Sequence, residues 1–184
     1  MTTPYERVRA HLLEYSVKRG DFVLKSGRRS TWFIDSKQTM CDGAVSADVA
    51  SLLLDLIPAD ATAIGGLTMG ADGVSFITAG VAAARGRALH SFSVRKEAKD
   101  HGAGGRIAGR LLPGDKVVIT EDTVTRGTSL LEAAAVVRDV GAEVVLVTAL
   151  VDRGGTVAAM AEAEGLRFRA LFTAPDLGFD YEGA

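Results

Sequence analysis

Runs of aliphatic residues alternate along most of the chain with stretches in which apolar residues recur at helical spacing. The runs predict buried strands at 63–67, 89–94, 116–120, 144–151 and 168–172. The stretches between them predict helices over 71–85, 128–140 and 155–164, with Gly141 as the stop of the second helix. Strands that are apolar on both faces and alternate with helices indicate an α/β fold in which a parallel sheet is flanked by helices.

The N-terminal part of the chain follows a different pattern. Residues 3–6 form a capping box with proline at the first helical position. Apolar residues at helical spacing then continue to Gly20, so we expect one helix up to that glycine. A polar turn at 25–30 leads into a short strand at 32–35, and these elements together predict a small hood over residues 1–40.

A second helix and the core follow the hood. Asp42 is placed to cap this helix, and Pro58 ends it. Strands and helices then alternate through a core at 60–173, and no internal repeat divides them. We therefore expect a single domain of ordinary size that spans residues 1–184.

The composition narrows the functional classes. Lys and Arg number 21 against 23 Asp and Glu, which argues against a general nucleic-acid binder because such proteins need a basic surplus. The single cysteine, Cys41, excludes an internal disulfide, and with three His a structural zinc site is not expected. The N-terminus is charged, unlike a signal peptide, and no apolar stretch reaches the ~18 residues of a membrane span. We expect a cytoplasmic protein without membrane contacts.

The segment 117–129 combines a buried strand, two acids and a short turn that opens a helix. The turn contains hydroxyl side chains and Gly127, and it places backbone N–H groups at a helix N-terminus, where a phosphate binds readily. Carboxylates such as Glu121 and Asp122 can accept hydrogen bonds from sugar hydroxyls or help to hold a divalent cation. For Glu121 by itself, an acid that merely caps the helix remains the alternative.

A P-loop would be another interpretation of this turn. It requires a lysine after its second glycine and an earlier glycine, but Thr128 follows Gly127 and no other glycine lies between 115 and 126. The segment instead resembles the phosphoribosyl-diphosphate motif of type I phosphoribosyltransferases, although Glu121 stands where Asp is more common. This resemblance implies that the phosphoribosyl donor binds to Glu121, Asp122, Thr123, Val124, Thr125, Arg126, Gly127, Thr128 and Ser129.

The segment 95–110 concentrates basic residues ahead of a glycine-rich run at 102–109. No apolar residue is placed to anchor it, so we expect a mobile loop that folds over a polyanion. Its cations would stabilise the charge of a leaving pyrophosphate, and its closure would keep water from the ribosyl centre. A solvated charged loop is the alternative, and the sugar-phosphate motif on the next strand favours the functional interpretation.

The start of this loop resembles the catalytic loop of the orotate phosphoribosyltransferase family, which reaches into the active site of the partner subunit. The resemblance implies a homodimer with shared sites. It also implies that the diphosphate meets Arg95, Lys96, Lys99 and His101. The catalytic group implied in the same way is Lys99, Asp100 and His101.

Two further segments, residues 25–33 and 151–155, resemble the base-binding parts of that family. The resemblance implies orotate contacts from Lys25, Phe33 and Arg153 in these segments and from Thr125 in the donor turn. Phe33 would stack near the flat pyrimidine, and the Arg153 guanidinium would grip the orotate carboxylate through paired hydrogen bonds. Taken singly, a surface turn, a core aromatic and a helix-entry charge explain Lys25, Phe33 and Arg153 equally well. Many family members carry a lysine that contacts pyrophosphate in the loop corresponding to 67–73. This chain has no lysine there, so only backbone N–H groups and Thr68 can make that contact.

These features together resemble a type I phosphoribosyltransferase fold with a small N-terminal hood. The implied reaction joins orotate and phosphoribosyl diphosphate to give orotidine 5′-phosphate and pyrophosphate, in pyrimidine (UMP) biosynthesis. Mg²⁺ would bridge diphosphate and ribose oxygens, and Asp122 is the one side chain that could contribute to holding it. Two alternatives stay open: a phosphoribosyltransferase for another base, and a nucleotide-binding regulator that lost catalysis.

Overall fold

The computed structural model describes residues 2–23, 27, 29–99 and 105–183. Within these residues the helices are Pro4–His11 (α1), Lys37–Met40 (α2), Ser46–Leu56 (α3), Gly70–Ala84 (α4), Thr128–Asp139 (α5) and Val157–Ala163 (α6). The strands are Val17–Val23 (β1), Arg29–Ile34 (β2), Ala63–Leu67 (β3), His90–Lys99 (β4), Gly105–Gly109 (β5), Lys116–Val124 (β6), Glu143–Asp152 (β7) and Phe168–Thr173 (β8). No helix among these is long and apolar enough to cross a membrane.

The core is a sheet with the strand order β5-β4-β3-β6-β7-β8. Its neighbouring strands are parallel from β4 to β8, and only the edge strand β5 runs antiparallel, to β4. The expected parallel sheet is therefore confirmed, with an antiparallel edge added. The chain crosses from β5 to β6 past β4 and β3, which places the carboxyl ends of β3, β6 and β7 side by side.

Helices cover both faces of this sheet, which explains the uninterrupted apolar runs in the sequence. Successive residues of a strand point to opposite faces. Val117 and Ile119 pack in one buried cluster with residues of α5 and α6, whereas Val118 packs in another with residues of α3 and α4. A strand segment buried on both faces needs apolar residues at successive positions, and β6 has them from Val117 to Ile119.

The first helix is shorter than the sequence predicts. Its capping box is present, with Thr3 and Glu6 bonded reciprocally, but α1 ends at His11. A π-helical turn, Leu12–Ser16, follows and leads into β1. The prediction of a helix up to Gly20 is wrong because residues 17–23 pair with β2 as an antiparallel hairpin, and this pairing overrides the local helical spacing.

The start of the next long helix also differs from expectation. Its N-cap position is Val45, and Asp42 does not cap it. The Asp42 carboxylate instead accepts a hydrogen bond from Ala44 N at 2.8 Å and contacts His11 Nε2 at 3.1 Å. Asp42 thus forms a local turn and joins that turn to α1, while the short helix α2 ahead of it was not predicted.

The described part of the segment 95–110 is not the unanchored loop that we expected. Strand β4 continues to Lys99, and β5 pairs with it, Val94 opposite Ile107. Ile107 packs against the buried cluster of α5 and is the apolar anchor that the prediction missed. Residues 100–104 lie outside the described residues.

Strand β6 is longer than predicted. The sequence placed its end at residue 120, where the acids begin, but the strand continues to Val124. The extension forms because β7 offers pairing partners as far as Asp152, opposite Val124. Glu121 and Asp122 therefore belong to the strand itself and are held by its ladder.

Candidate active site

A cavity of about 360 Å³, the main cavity of the site, opens where the carboxyl ends of β6 and β7 meet the N-terminal hairpin. Both parts of the chain supply its wall. The residues that line it are Phe33, Glu121, Thr123, Val124, Thr125, Arg126, Gly127, Thr128, Ser129 and Arg153. The structure thus brings the predicted donor segment, except Asp122, together with three of the four predicted base contacts, Phe33, Thr125 and Arg153.

The turn between β6 and α5 forms the floor of this cavity. Gly127 stands at its end with a φ of 72°, a left-handed conformation that glycine adopts without strain. From there α5 begins at Thr128, and no side chain of the described residues caps it. Its first N–H groups therefore face the cavity as hydrogen-bond donors, and the helix dipole adds positive potential, an arrangement that suits a phosphate.

The loop after β7 fixes the shape of that turn. Arg153 N donates to Val124 O at 2.8 Å, and the Thr156 hydroxyl donates to Thr125 O at 3.0 Å. Gly154 lies so close that a Cβ atom added to it would stand 1.8 Å from Thr125 O. The two loops are in backbone contact, and a side chain at position 154 would force them apart.

The carboxylates of Glu121 and Asp122 differ sharply in environment. Glu121 is 7% exposed, and burial, followed by the charge of Asp122, raises its pKa to about 8. Burial would also raise the pKa of Asp122, but the net shift is downward. The Ser36 hydroxyl donates to Asp122 Oδ2 at 2.5 Å, and Lys37 Nζ lies 3.2 Å from the same oxygen. At neutral pH, Asp122 is ionised and Glu121 is largely protonated.

Glu121 is not the helix cap that the sequence left open as an alternative. Its carboxyl group accepts a hydrogen bond from Asp122 N at 3.2 Å and faces the backbone at Gly70. A Cβ atom added to Gly70 would lie 1.7 Å from Glu121 Oε1, so a larger residue at the start of α4 would require the Glu121 carboxyl group to move. The side chain therefore links β6 to the loop after β3.

Replacing Glu121 with glutamine is expected to remove a pH-dependent loss of stability. The folded protein keeps the Glu121 proton up to about pH 8, whereas an unfolded chain releases it near the ordinary pKa of 4.5. The folded state thus binds more protons between these values, so this group lowers the free energy of unfolding as the pH rises through them, by on the order of 5 kcal/mol.

Urea unfolding of both proteins at several pH values between about 5 and 9 measures this effect. The stability of the glutamine variant relative to wild type should grow with pH and level off above pH 8. Parallel curves for the two proteins would contradict the assigned protonation.

The base side of the cavity is formed by Phe33 and Arg153. Phe33 is 40% exposed, which leaves a ring face open towards the cavity. Arg153 is only 6% exposed, and its guanidinium lies 4.6 Å from the centre of the Trp32 ring. A flat ring beside a held guanidinium can bind a planar molecule that carries a carboxylate.

A second, smaller cavity of about 170 Å³ lies on the other side of Asp122. Its wall includes Lys37 from the hood, Met69 from the loop after β3, and Gly70 and Gly73 from the start of α4. Lys37 thus places an ammonium group beside the loop in which the sequence has no lysine. The peptide bond between Thr68 and Met69 in this loop is cis.

Other predicted residues lie apart from the main cavity or outside the described residues. Arg95 turns back onto β5, where its guanidinium donates to Ile107 O at 3.2 Å. Lys96 is exposed on β4, and Lys99 is the last residue of that strand. Neither Arg95 nor Lys96 lines the cavity in this chain. The remaining predicted residues, Lys25, Asp100 and His101, lie outside the described residues.

Sequence reasoning missed several residues that shape the site. Ser36 and Lys37 were not singled out, although both contact Asp122. Trp32 was read only as part of a strand, and the segment that carries Glu182 was not considered. The contacts of Asp122 with Ser36 and Lys37, and of Arg153 with Trp32, join residues that are 85 or more positions apart in the chain. No local pattern signals these contacts.

Comparison with known proteins gives a consistent result, although no model of a known protein family matches the chain. An orotate phosphoribosyltransferase of Streptomyces avermitilis is 42% identical over 90% of this chain and 92% of its own length. One of Nostoc sp. is 40% identical over 93% of this chain and 84% of its own. The alignments thus extend over nearly the whole chain.

Solved structures agree with these sequence matches. The orotate phosphoribosyltransferase of Mycobacterium tuberculosis H37Rv, in complex with Fe(III) dicitrate, superposes with a TM-score of 0.84. It is 37% identical, and the match covers 96% of this chain and 99% of that one. The same enzyme in complex with 5-phospho-α-D-ribosyl 1-diphosphate gives a TM-score of 0.81 at 35% identity, over the same shares of the two chains.

Proposed function

Since the chain belongs to the family of orotate phosphoribosyltransferases, we propose that its main cavity is where orotate and phosphoribosyl diphosphate react. The protein is an enzyme that transfers the phosphoribosyl group to orotate in pyrimidine biosynthesis, and the products are orotidine 5′-phosphate and pyrophosphate. The observation that carries the placement is the N-terminus of α5, which has no side-chain cap and lies in the wall of the cavity together with the buried Glu121. A phosphate and a ribose fit these two groups at once.

The donor is held by the strand end and turn of β6. Backbone N–H groups and hydroxyls from Thr125 to Ser129 bind the 5′-phosphate, which the dipole of α5 favours. Asp122 accepts hydrogen bonds from the ribose hydroxyls, and the largely protonated Glu121 can donate one as well as accept one. Support for this comes from Glu121 and the turn residues, which line the cavity, and from Asp122, which follows Glu121 on β6 and lines the second, smaller cavity.

Orotate occupies the side of the cavity next to the hood. Phe33 packs against the pyrimidine ring, Arg153 binds its carboxylate, and Thr125 supplies a further polar contact between base and ribose. Lys25 completes this set as a prediction from the sequence. The base nitrogen attacks C1′ as pyrophosphate departs, so the protein needs no nucleophile of its own.

The leaving pyrophosphate develops negative charge that cations stabilise, whereas the two cations that line the main cavity, Arg126 and Arg153, belong to the donor turn and to the base side. We assign this role to Arg95, Lys96, Lys99 and His101, with Asp100 assisting, from the partner subunit of a homodimer. Support is the position of Arg95 and Lys96, which lie away from the cavity of their own chain. A loop that is delivered by a second subunit would account for that separation.

Mg²⁺ fits the site as an ion that the substrate brings with it. Within the described residues no group of three or more His, Cys, Asp or Glu side chains could hold a metal ion. Asp122 has a lowered pKa and follows Glu121 on β6, and Mg²⁺ usually keeps water and phosphate ligands beside one or two carboxylates. When bound, the ion would neutralise the diphosphate and make it a better leaving group. The cytoplasmic location stays a prediction from the sequence.

An assay of pyrophosphate release tests the proposal. The protein is given phosphoribosyl diphosphate and Mg²⁺ together with orotate, uracil, hypoxanthine or adenine in separate reactions. Release with orotate alone, abolished by a chelator, is the expected result. Release with another base would overturn the roles of Phe33 and Arg153. Donor binding without release from any base would instead favour a regulator.

Replacing Arg153 with alanine is expected to raise the KM for orotate by about 10- to 100-fold, because a charge-assisted bond to the carboxylate is lost. The KM for phosphoribosyl diphosphate should change far less, since the donor lies on the β6 turn. Steady-state kinetics with each substrate varied in turn measure both values. Equal effects on the two substrates would contradict the role of Arg153 in base binding.

A further inference from the structure

The described end of the chain, residues 178–183, lies against the base side of the cavity. Glu182 N donates to Arg153 O at 2.7 Å, which anchors this segment to the loop after β7. The Glu182 carboxylate contacts the Arg153 guanidinium through one oxygen and the Ser30 hydroxyl through the other. One side chain therefore ties β2 of the hood to the arginine that we assign to orotate.

Stacked rings reinforce the same arrangement. The Trp32 ring stacks on the Phe179 ring with the ring centres 4.3 Å apart, and the Arg153 guanidinium lies 4.6 Å from the centre of the Trp32 ring. The Arg19 guanidinium from β1 lies 4.6 Å from the centre of the Phe179 ring. Each of the two stacked rings thus contacts one guanidinium, and the contact with Trp32 helps to hold the Arg153 guanidinium in place.

The hydrogen-bond donors of Arg153 are used unevenly. Its Nη2 atom donates to Trp32 O at 3.2 Å and to Glu182. Its Nε atom is buried and has no hydrogen-bond partner among the described residues. Arg153 lines the main cavity, whereas Glu182 does not. Glu182 thus holds the guanidinium from behind, on the side away from the space for the base.

We propose that Glu182 is a positioning residue for orotate, which holds one edge of the Arg153 guanidinium so that its remaining donors meet the carboxylate of the base. The proposal rests on the role of Arg153 given above. Burial lowers the pKa of Arg153, and the charge and hydrogen bond of Glu182 oppose that shift. Without Glu182, a buried cation would lose its charged partner, and its side chain would turn towards other acceptors.

Product binding in the absence of pyrophosphate tests this without catalysis. Calorimetric titration compares orotidine 5′-phosphate with uridine 5′-phosphate, which lacks only the carboxylate on the base. The dissociation constant of uridine 5′-phosphate divided by that of orotidine 5′-phosphate reports on carboxylate recognition. This ratio cancels effects on the phosphate site. In Glu182→Gln, which keeps the size of the side chain, we expect this ratio to fall by about 5- to 20-fold, as for the loss of one charge-assisted hydrogen bond.

Matched variants make the outcomes distinct. Asp180→Asn removes an exposed negative charge two residues earlier in the same segment and should leave the ratio unchanged. Arg153→Ala should collapse the ratio to near one, and adding Glu182→Gln to it should change nothing further. A melting curve for each variant shows that the comparison is made on folded protein.

The possible failures point to different errors. If Arg153→Ala leaves the ratio intact, the assigned role of Arg153 is wrong and the role of Glu182 goes with it. If Arg153→Ala collapses the ratio but Glu182→Gln keeps it at the wild-type value, only the positioning role is refuted. A ratio that rises in Glu182→Gln would also refute it, because Glu182 would then compete with the ligand for Arg153.

Discussion

Replacing Lys99 with alanine is expected to lower kcat by about 100- to 1,000-fold, the usual cost of removing one donor to a charge that develops in the transition state. Pyrophosphate gains negative charge as it leaves C1′, and we assign Lys99 to that charge. Lys99 is the last residue of β4 and pairs with Gly105 of β5. Turnover at saturating substrate concentrations measures the fall in kcat, and a thermal melt shows that the variant is folded. Near-normal turnover would remove Lys99 from the mechanism.

Lys116→Ala is the matched control. Lys116 begins β6, at the end of the sheet away from the site, and its amino group contacts Asp60 at 2.6 Å. Loss of this exposed ion pair should leave both the melting temperature and kcat close to the wild-type values. A large fall in kcat would show that the assay responds to any lost lysine.

Subunit mixing extends the test to the shared site. In an equal mixture of Lys99→Ala and Asp122→Ala chains, half of the dimers are mixed, and each mixed dimer has one of its two sites intact. The mixture should therefore regain about a quarter of wild-type activity if each site takes its loop from the partner. No recovery would contradict a site shared between subunits.

Gly154→Ala is expected to disrupt the donor site and to destabilise the protein by about 3 kcal/mol or more. The added methyl group would lie 1.8 Å from Thr125 O, and that atom belongs to the backbone and cannot turn aside. The turn from Thr125 to Gly127 must then shift away from the loop after β7. We expect kcat/KM for phosphoribosyl diphosphate to fall by at least about 100-fold, because the N–H groups that bind the phosphate move together.

Gly80→Ala provides the same chemical change where there is room for it. Gly80 lies in α4, and nothing stands within 4 Å of an added Cβ atom. Alanine there should stabilise the protein by about 0.5–1 kcal/mol, since it restricts the unfolded chain and favours the helix. Urea unfolding measures the free energy of unfolding of both variants relative to the wild type. Equal stability of the two would show that the contact at Gly154 is relieved without cost.

The core of the fold could be predicted because its signals are local. Residues 116–120 and 144–151 are apolar at almost every position, and this continuity alone indicates strands buried on both faces. Gly141 lies just past the end of α5, as its place in the sequence suggested. The donor turn could be found for the same reason, since its acids, hydroxyls and Gly127 are contiguous in the chain.

The errors occurred where pairing with a distant segment decided the conformation. Residues 17–20 have helical spacing but form β1, because β2 supplies their hydrogen bonds. The glycine-rich residues 105–109 have no strand pattern and still form β5 against β4. In both cases the free energy comes from a partner strand, which a local window of sequence does not include.

The sequence by itself determined the α/β class, the order of the core elements and the chemistry of the turn at 125–129, since each depends on neighbours in the chain. Only the tertiary structure decided which side chains act together. Ser36 and Lys37 keep Asp122 ionised while burial keeps the proton on Glu121, and this difference arises from contacts 85 or more residues apart. The contact of Glu182 with Arg153 likewise exists only because the end of the chain folds back onto the hood. Burial and charge depend on the folded surroundings, and a pattern of residues along the chain does not contain them.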